Sequence, residues 1–215
     1  MRHWLALLLS LVSFGCFAQA DYSREQRWAD EITPAILVGD AVYLPQKSGH
    51  KFLAIHAPNA SGSKSRAGVI VVHGMGVHPD WNLVNVLRSQ LAEQGYATLS
   101  VQMPVLASDA KGEQYPALFP DAAERLQAAV TFLRDKGHRK IAIVSHSMGA
   151  RMVNHFIAVG GASAFLSKHG RLDILCNNAG IALTPMERTK DGFESQLAAN
   201  FLGFVKLASI MLWLK

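Results

Sequence analysis

Ser147 stands in the pentapeptide Ser145-His146-Ser147-Met148-Gly149, at the end of the apolar, largely β-branched run Ile141 to Val144. A serine flanked by small residues where a strand breaks into a helix has the form of a nucleophile elbow, G-x-S-x-G, here with Ser145 in the place of the first glycine. The chemistry needs small neighbours because the nucleophile's backbone is strained and tightly packed, which lifts its hydroxyl into the open above a sheet. Such a turn also sets the backbone N–H of Met148 at a helix start, aimed where an oxyanion would form in acyl transfer. A second donor is offered by His73-Gly74-Met75-Gly76, directly after the apolar run Val69 to Val72, whose glycines let the Met75 N–H turn toward the same point.

These residues are useful only if strands and helices hold them at one edge of a sheet. Residues 21–34 are polar and predict a short helix or arm. Two strands are expected at Ala35 to Leu44 and Lys51 to His56, joined by a turn around Gln46 to Gly49. The run Val69 to Val72 reads as a strand buried on both faces. A helix at about 81–94 closed by Gly95, a strand at Tyr96 to Val101 and a long turn-rich loop from Pro104 to Pro120 follow. Next come a helix at about 121–136 with Asp121 as N-cap and Gly137 as stop, the strand Ile141 to Val144, and a helix beginning at Ser147. Strands alternating with helices predict a mainly parallel sheet with helices on both faces, a three-layer α/β/α arrangement. In such sheets ligands bind beyond the carboxyl ends of the strands, where both His73 and Ser147 fall.

At residues 25–160 the chain resembles the α/β-hydrolase superfamily, and particularly a group of exported bacterial proteins of that fold, through VIVVHGMGVHPDW, LAEQGYATLSVQMPV and IAIVSHSMGARMVNH. The resemblance implies that Ser147 is the nucleophile and that Met75 and Met148 supply the oxyanion hole. It also implies that an acid and then a histidine should follow the serine. Only His155 and His169 lie downstream, and no Asp or Glu falls between Ser147 and His169, so that order is not met. His155 lies eight residues into the expected helix, about 12 Å along it, and is expected to point away from the turn. His169 is the one free candidate base, with Asp173, Glu187 or Asp191 as orienting acids. His146 is expected to face away from the nucleophile, and His73 and His78 to shape the oxyanion loop, with no third ligand spaced to make a metal site.

After Gly160-Gly161 the character changes. The run RLDILCNNAG predicts a short strand at Leu172 to Cys176 able to dock beside Ile141 to Val144, and Thr189 to Leu214 carries apolar residues at helical spacing. The stretch 165–207, through LDILCNNAGIALTP and TKDGFESQLAANFLG, resembles the short-chain dehydrogenase/reductase family, in particular its retinol-dehydrogenase-like branch. That resemblance implies a nicotinamide-cofactor groove lined by Asn177, Asn178, Ala179 and Gly180, with Asn200 in a proton relay. The glycine-rich turn that seats a dinucleotide pyrophosphate is missing, and so is a Tyr-x-x-x-Lys pair, since no tyrosine follows Tyr115. No cofactor is expected to bind.

Residues 1–20 place Arg2 before an apolar run ending in Ala18-Gln19-Ala20, the pattern of a secretory signal peptide, so a periplasmic or secreted protein without a membrane span is expected. The chain has 215 residues, half of them hydrophobic, a formal charge of +5 with no basic cluster, and two cysteines, Cys16 and Cys176. This composition suits a globular domain without a disulfide framework and gives no footprint for nucleic acid. The expected organisation is a signal peptide at 1–20, a hydrolase-like portion at 21–161, truncated relative to its family, and a dehydrogenase-like fragment at 162–215 packed on the same sheet, a chimera-like chain. The expected function is a serine hydrolase acting on a small ester-like substrate, weak or inactive for want of an acid-then-His pair. A catalytically dead α/β binding module and an NAD(P)-dependent dehydrogenase-like oxidoreductase are the alternatives.

Overall fold

The computed structural model describes residues 19–60, 65, 67–161, 175–178, 188, 190 and 192. The expected N-terminal helix is α1 (Tyr22–Ile32), capped by Asp21, whose carboxylate accepts from the Arg24 N–H at 2.9 Å. Strand β1 (Asp40–Pro45) starts later than the apolar residues Ile36 to Val38 suggest. Thr33–Ala35 instead form a 3-10 turn around Pro34. Gly39 then turns the chain with φ +90°, where a Cβ would lie 2.6 Å from the His56 carbonyl oxygen. Strand β2 (Lys51–Ala57) pairs antiparallel with β1, from Asp40 opposite His56 to Pro45 opposite Lys51.

The parallel core follows. Strand β3 (Gly68–Val72) leads to helix α2 (Asn82–Glu93) and strand β4 (Ala97–Val101). Helix α3 (Phe119–Asp135), strand β5 (Ile141–His146) and helix α4 (Met148–Phe156) come next, and strand β6 (Leu175–Asn178) is the last. Gly95 and Gly137 end their helices as expected: the Tyr96 N–H returns to the Leu91 carbonyl and the His138 N–H to the Leu133 carbonyl, both at 3.0 Å. Asp121 does not cap α3. The helix begins two residues earlier, and Asp121 lies in its first turn with its carboxylate held by Arg125 and Gln46.

The strand order is β1-β2-β4-β3-β5-β6. β2 pairs antiparallel with β4, while β4, β3, β5 and β6 are parallel neighbours. β6 docks beside β5 with Leu175 opposite Ile143 and Asn178 opposite His146, continuing the sheet. Alternate side chains of β3 serve opposite faces. Ile70 and Val72 join Leu126, Ala129, Leu133, Met152 and Val153 of α3 and α4, whereas Val69 and Val71 pack with Val84 of α2. Ala29 and Ile32 of α1 cover Leu53 and Ile55 of β2 in a third cluster. Fully burying each such aliphatic side chain contributes roughly 1.5–3 kcal/mol, which is why the continuous apolar strand β3, buried along its whole length, lies at the centre of the sheet. The architecture is therefore a mainly parallel, α/β-hydrolase-like sheet covered on both faces. Among the described residues no helix is long and apolar enough to cross a membrane.

Candidate active site

Ser147 is the single residue between β5 and α4, with φ 54° and ψ −125°. It is the one non-glycine residue with positive φ among the described residues. A backbone of this kind costs on the order of 1–3 kcal/mol and persists only where its surroundings over-determine it. Two glycines do so. A Cβ on Gly149 would lie 2.2 Å from the His73 carbonyl oxygen and 2.9 Å from Val72 Cγ1, so α4 starts in direct contact with the end of β3. A Cβ on Gly74 would lie 3.0 Å from Ser147 Cβ and 3.4 Å from the His146 carbonyl oxygen. The turn after β3 and the turn after β5 are thus pressed together at the carboxyl ends of adjacent parallel strands. Ser145, standing where a glycine is usual, is buried in β5 opposite Val72 and is accommodated there.

Met75 and Met148 arrive at the same place from the two turns. Met75 is 44% exposed and Met148 is buried, and the thioether Sδ of the first and the Cε of the second each lie 3.9 Å from where a Cβ of Gly112 would project. Gly112 opens the 3-10 segment Gly112–Leu118 in the loop between β4 and α3. Three loops therefore meet beside Ser147. His146 faces the α2 side, its ring stacked 6.2 Å from Trp81, as expected for the residue before the nucleophile position. His155 lies in the last turn of α4 against Phe119, ring centroids 5.6 Å apart. The candidate base His169, its candidate acids Asp173, Glu187 and Asp191, and Ala179, Gly180 and Asn200 lie outside the described residues. Asn177 and Asn178 end β6, one strand over from Ser145 and His146.

His73 is fully buried and holds the turn after β3 in shape. Its Nδ1–H donates to the Gly74 carbonyl at 2.7 Å, and its Nε2 accepts the Met103 N–H at 2.9 Å. This pairing ties the turn after β3 to the chain leaving β4. Burial drives the imidazole pKa from its ordinary 6.5 down to about 3, against the opposing pull of the Gly74 carbonyl. The ring is neutral at any ordinary pH and acts as a brace. Because the unfolded chain protonates this histidine below pH 6.5 and the folded chain resists until about pH 3, its contribution to stability is complete above 6.5 and is lost as the pH falls through that window. Urea midpoints between pH 7 and pH 4 should therefore fall more steeply in the wild type than in His73→Gln, by up to about 1.4 kcal/mol per pH unit. Equal slopes would show that His73 is not buried as described.

The pattern of motifs did not reveal the polar braces behind this site. Arg88 on α2 is fully buried and bonds Asp80 Oδ1 at 2.6 Å, the Pro79 carbonyl at 3.2 Å, Ser100 Oγ at 3.3 Å and the Val38 carbonyl at 3.2 Å. It thereby fixes the chain a few residues beyond Met75. Arg125 on α3, also fully buried, bonds Glu25 Oε2 at 2.8 Å, Asp121 Oδ2 at 3.3 Å and the Gln102 carbonyl at 3.2 Å, joining α1 to the loop after β4. A signal for both was present: Arg88 shares the stripe of Val84 and Ala92, and Arg125 that of Ala122, Leu126 and Ala129, so each cation interrupts a buried face. Among the described residues no three His, Cys, Asp or Glu side chains gather as a metal site would require.

An α/β-hydrolase-like fold with a strained serine at the elbow after β5 is the class that this geometry defines. Residues 22–122 match the family described as a protein of unknown function, DUF3530. A second resemblance, to short-chain dehydrogenases, rests on short matches. Short-chain dehydrogenase/reductase prx1 of Penicillium roqueforti is 52% identical over 50 residues, 23% of this chain and 15% of that protein. Retinol dehydrogenase 12 of Bos taurus is 47% identical over 51 residues, 24% of this chain and 16% of that protein. The chain thus spans only a small part of the curated relatives it matches. Among solved structures, the Pyrococcus furiosus esterase Pf2001 is similar with a TM-score of 0.42 and 19% identity, covering 54% of this chain and 44% of that one.

Proposed function

We propose that the protein is a slow serine hydrolase acting on an ester or similar acyl bond of a small molecule, with Ser147 as nucleophile and the Met75 and Met148 N–H groups stabilising the oxyanion. The observation that carries this reading is the strained Ser147 backbone, locked by Gly149 against the end of β3 and by Gly74 against the serine itself. Strain held this firmly at a half-buried turn has a purpose in presenting a hydroxyl and little purpose in packing. Ser147 Oγ attacks the acyl carbon, its proton passes to solvent, the alcohol departs, and water then releases the acid and restores the serine. The rate is low because His73 and His155 are committed elsewhere. His169 is the base available to this reading from the remainder of the chain.

An oxyanion hole and bound substrate alone can leave roughly 10³–10⁴-fold catalysis over water when the triad is incomplete. Hydrolysis of 4-nitrophenyl acetate by the purified protein should therefore be slow but measurable, and Ser147→Ala should abolish it at unchanged thermal stability. Equal rates for the two proteins would refute the reading and favour a binding module of the same fold.

A further inference from the structure

The first turn of α4 carries a cation where a helix ordinarily places an acid. Arg151 is exposed, and no acidic residue occupies that turn. Its guanidinium rests on soft neighbours: Nη1 lies 3.8 Å from Met148 Sδ, and Cζ stands 5.5 Å over the Phe119 ring. It makes no ion pair with a carboxylate among the described residues, in contrast to the buried Arg88 and Arg125. A cation at the positive end of a helix costs roughly 0.3–1 kcal/mol at an exposed site. Side chains on a helix lean toward its N-terminus, so Arg151 reaches back along the turn that begins at Ser147, as its contact with Met148 records. Met148 in turn borders Met75 and Gly112, the apolar wall beside the serine. Arg151 thus places a guanidinium at the edge of the Met75, Met148 and Gly112 cluster next to Ser147, with no carboxylate paired to it among the described residues.

We infer that Arg151 is a specificity residue of the Ser147 site, binding an anionic group, a carboxylate foremost, at the far end of the substrate's acyl chain. This inference rests on the hydrolase reading above. A guanidinium matches a carboxylate with two parallel N–H···O bonds, and its siting on a sulfur and a ring leaves those donors available.

The test compares two esters of equal chain length, 4-nitrophenyl hexanoate and the 4-nitrophenyl half-ester of adipic acid, in the wild type, Arg151→Met, Arg151→Lys and Ser147→Ala. The wild type should favour the half-ester by roughly tenfold in kcat/KM, a charge-assisted bond's worth. Arg151→Met should erase the preference by raising KM for the half-ester while altering hexanoate turnover less than about twofold, and Arg151→Lys should keep part of it. Added salt should weaken the preference in the wild type alone. Ser147-dependent turnover with no preference, or with one that survives Arg151→Met, overturns this inference and leaves the hydrolase reading standing. Turnover of both esters that persists in Ser147→Ala overturns the two together.

Discussion

Gly149→Ala should lower the stability of the protein by more than about 3 kcal/mol, although the same exchange in an ordinary helix would raise it by about 1 kcal/mol. The sign reverses because the closest atom that the added methyl group meets belongs to the backbone, which has no rotamer to move, and the next to a stiff β-branched valine. Its nearest neighbours would be the His73 carbonyl oxygen at 2.2 Å, Val72 Cγ1 at 2.9 Å and the His73 carbonyl carbon at 3.1 Å. Relief requires α4 to lift from β3, and the elbow lifts with it. For a domain of this size each kcal/mol shifts the thermal midpoint by roughly 2–4 °C, so a loss of at least 6–12 °C is expected in a melting experiment. Equal or higher stability in Gly149→Ala would mean that α4 does not start against the end of β3.

Arg125→Met should be comparably damaging, at roughly 3–5 kcal/mol, through charge left behind. Glu25 is 5% exposed, and burial pushes its carboxyl above the usual range while the adjoining Arg125 guanidinium pulls it back. Removing the cation strands that carboxylate between α1 and α3 and also frees Asp121 from its 3.3 Å partner. The double variant Glu25→Met with Arg125→Met replaces the pair by apolar volume and should recover most of the loss, since buried ion pairs often exchange for hydrophobic ones at little cost. Urea midpoints of the single and double variants decide the matter. A double variant no more stable than Arg125→Met would assign the loss to packing of the arginine stem against Phe52, over which its Cζ stands at 5.2 Å, and not to the stranded charge.

Local chemistry is what the sequence makes visible here. The runs Val69 to Val72 and Ile141 to Val144 announce buried parallel strands because each residue is apolar, and the strands form as β3 and β5. The elbow is legible for the same reason, since its small residues lie within five positions. Long-range partners mislead. Asp121 has the residue type of an N-cap, yet Gln46 and Arg125 recruit its carboxylate, and α3 starts at Phe119 instead. Ile36 to Val38 have the composition of a strand, but the Val38 carbonyl is taken by Arg88, fifty residues away, and the ladder begins only after Gly39. Glu25 and Arg125 are one hundred positions apart, so neither announces the other. The docking of β6 on β5 was legible at the level of class, because an apolar run in a parallel α/β chain has an open sheet edge to join.

The proposal that Ser147 is a weakly activated nucleophile is tested most directly by covalent capture. A fluorophosphonate probe incubated with the purified protein should add one phosphonyl group, slowly, with peptide mapping placing it on Ser147 and Ser147→Ala remaining unlabelled. Absence of the adduct after prolonged incubation, or an adduct that persists in Ser147→Ala, would contradict the assignment.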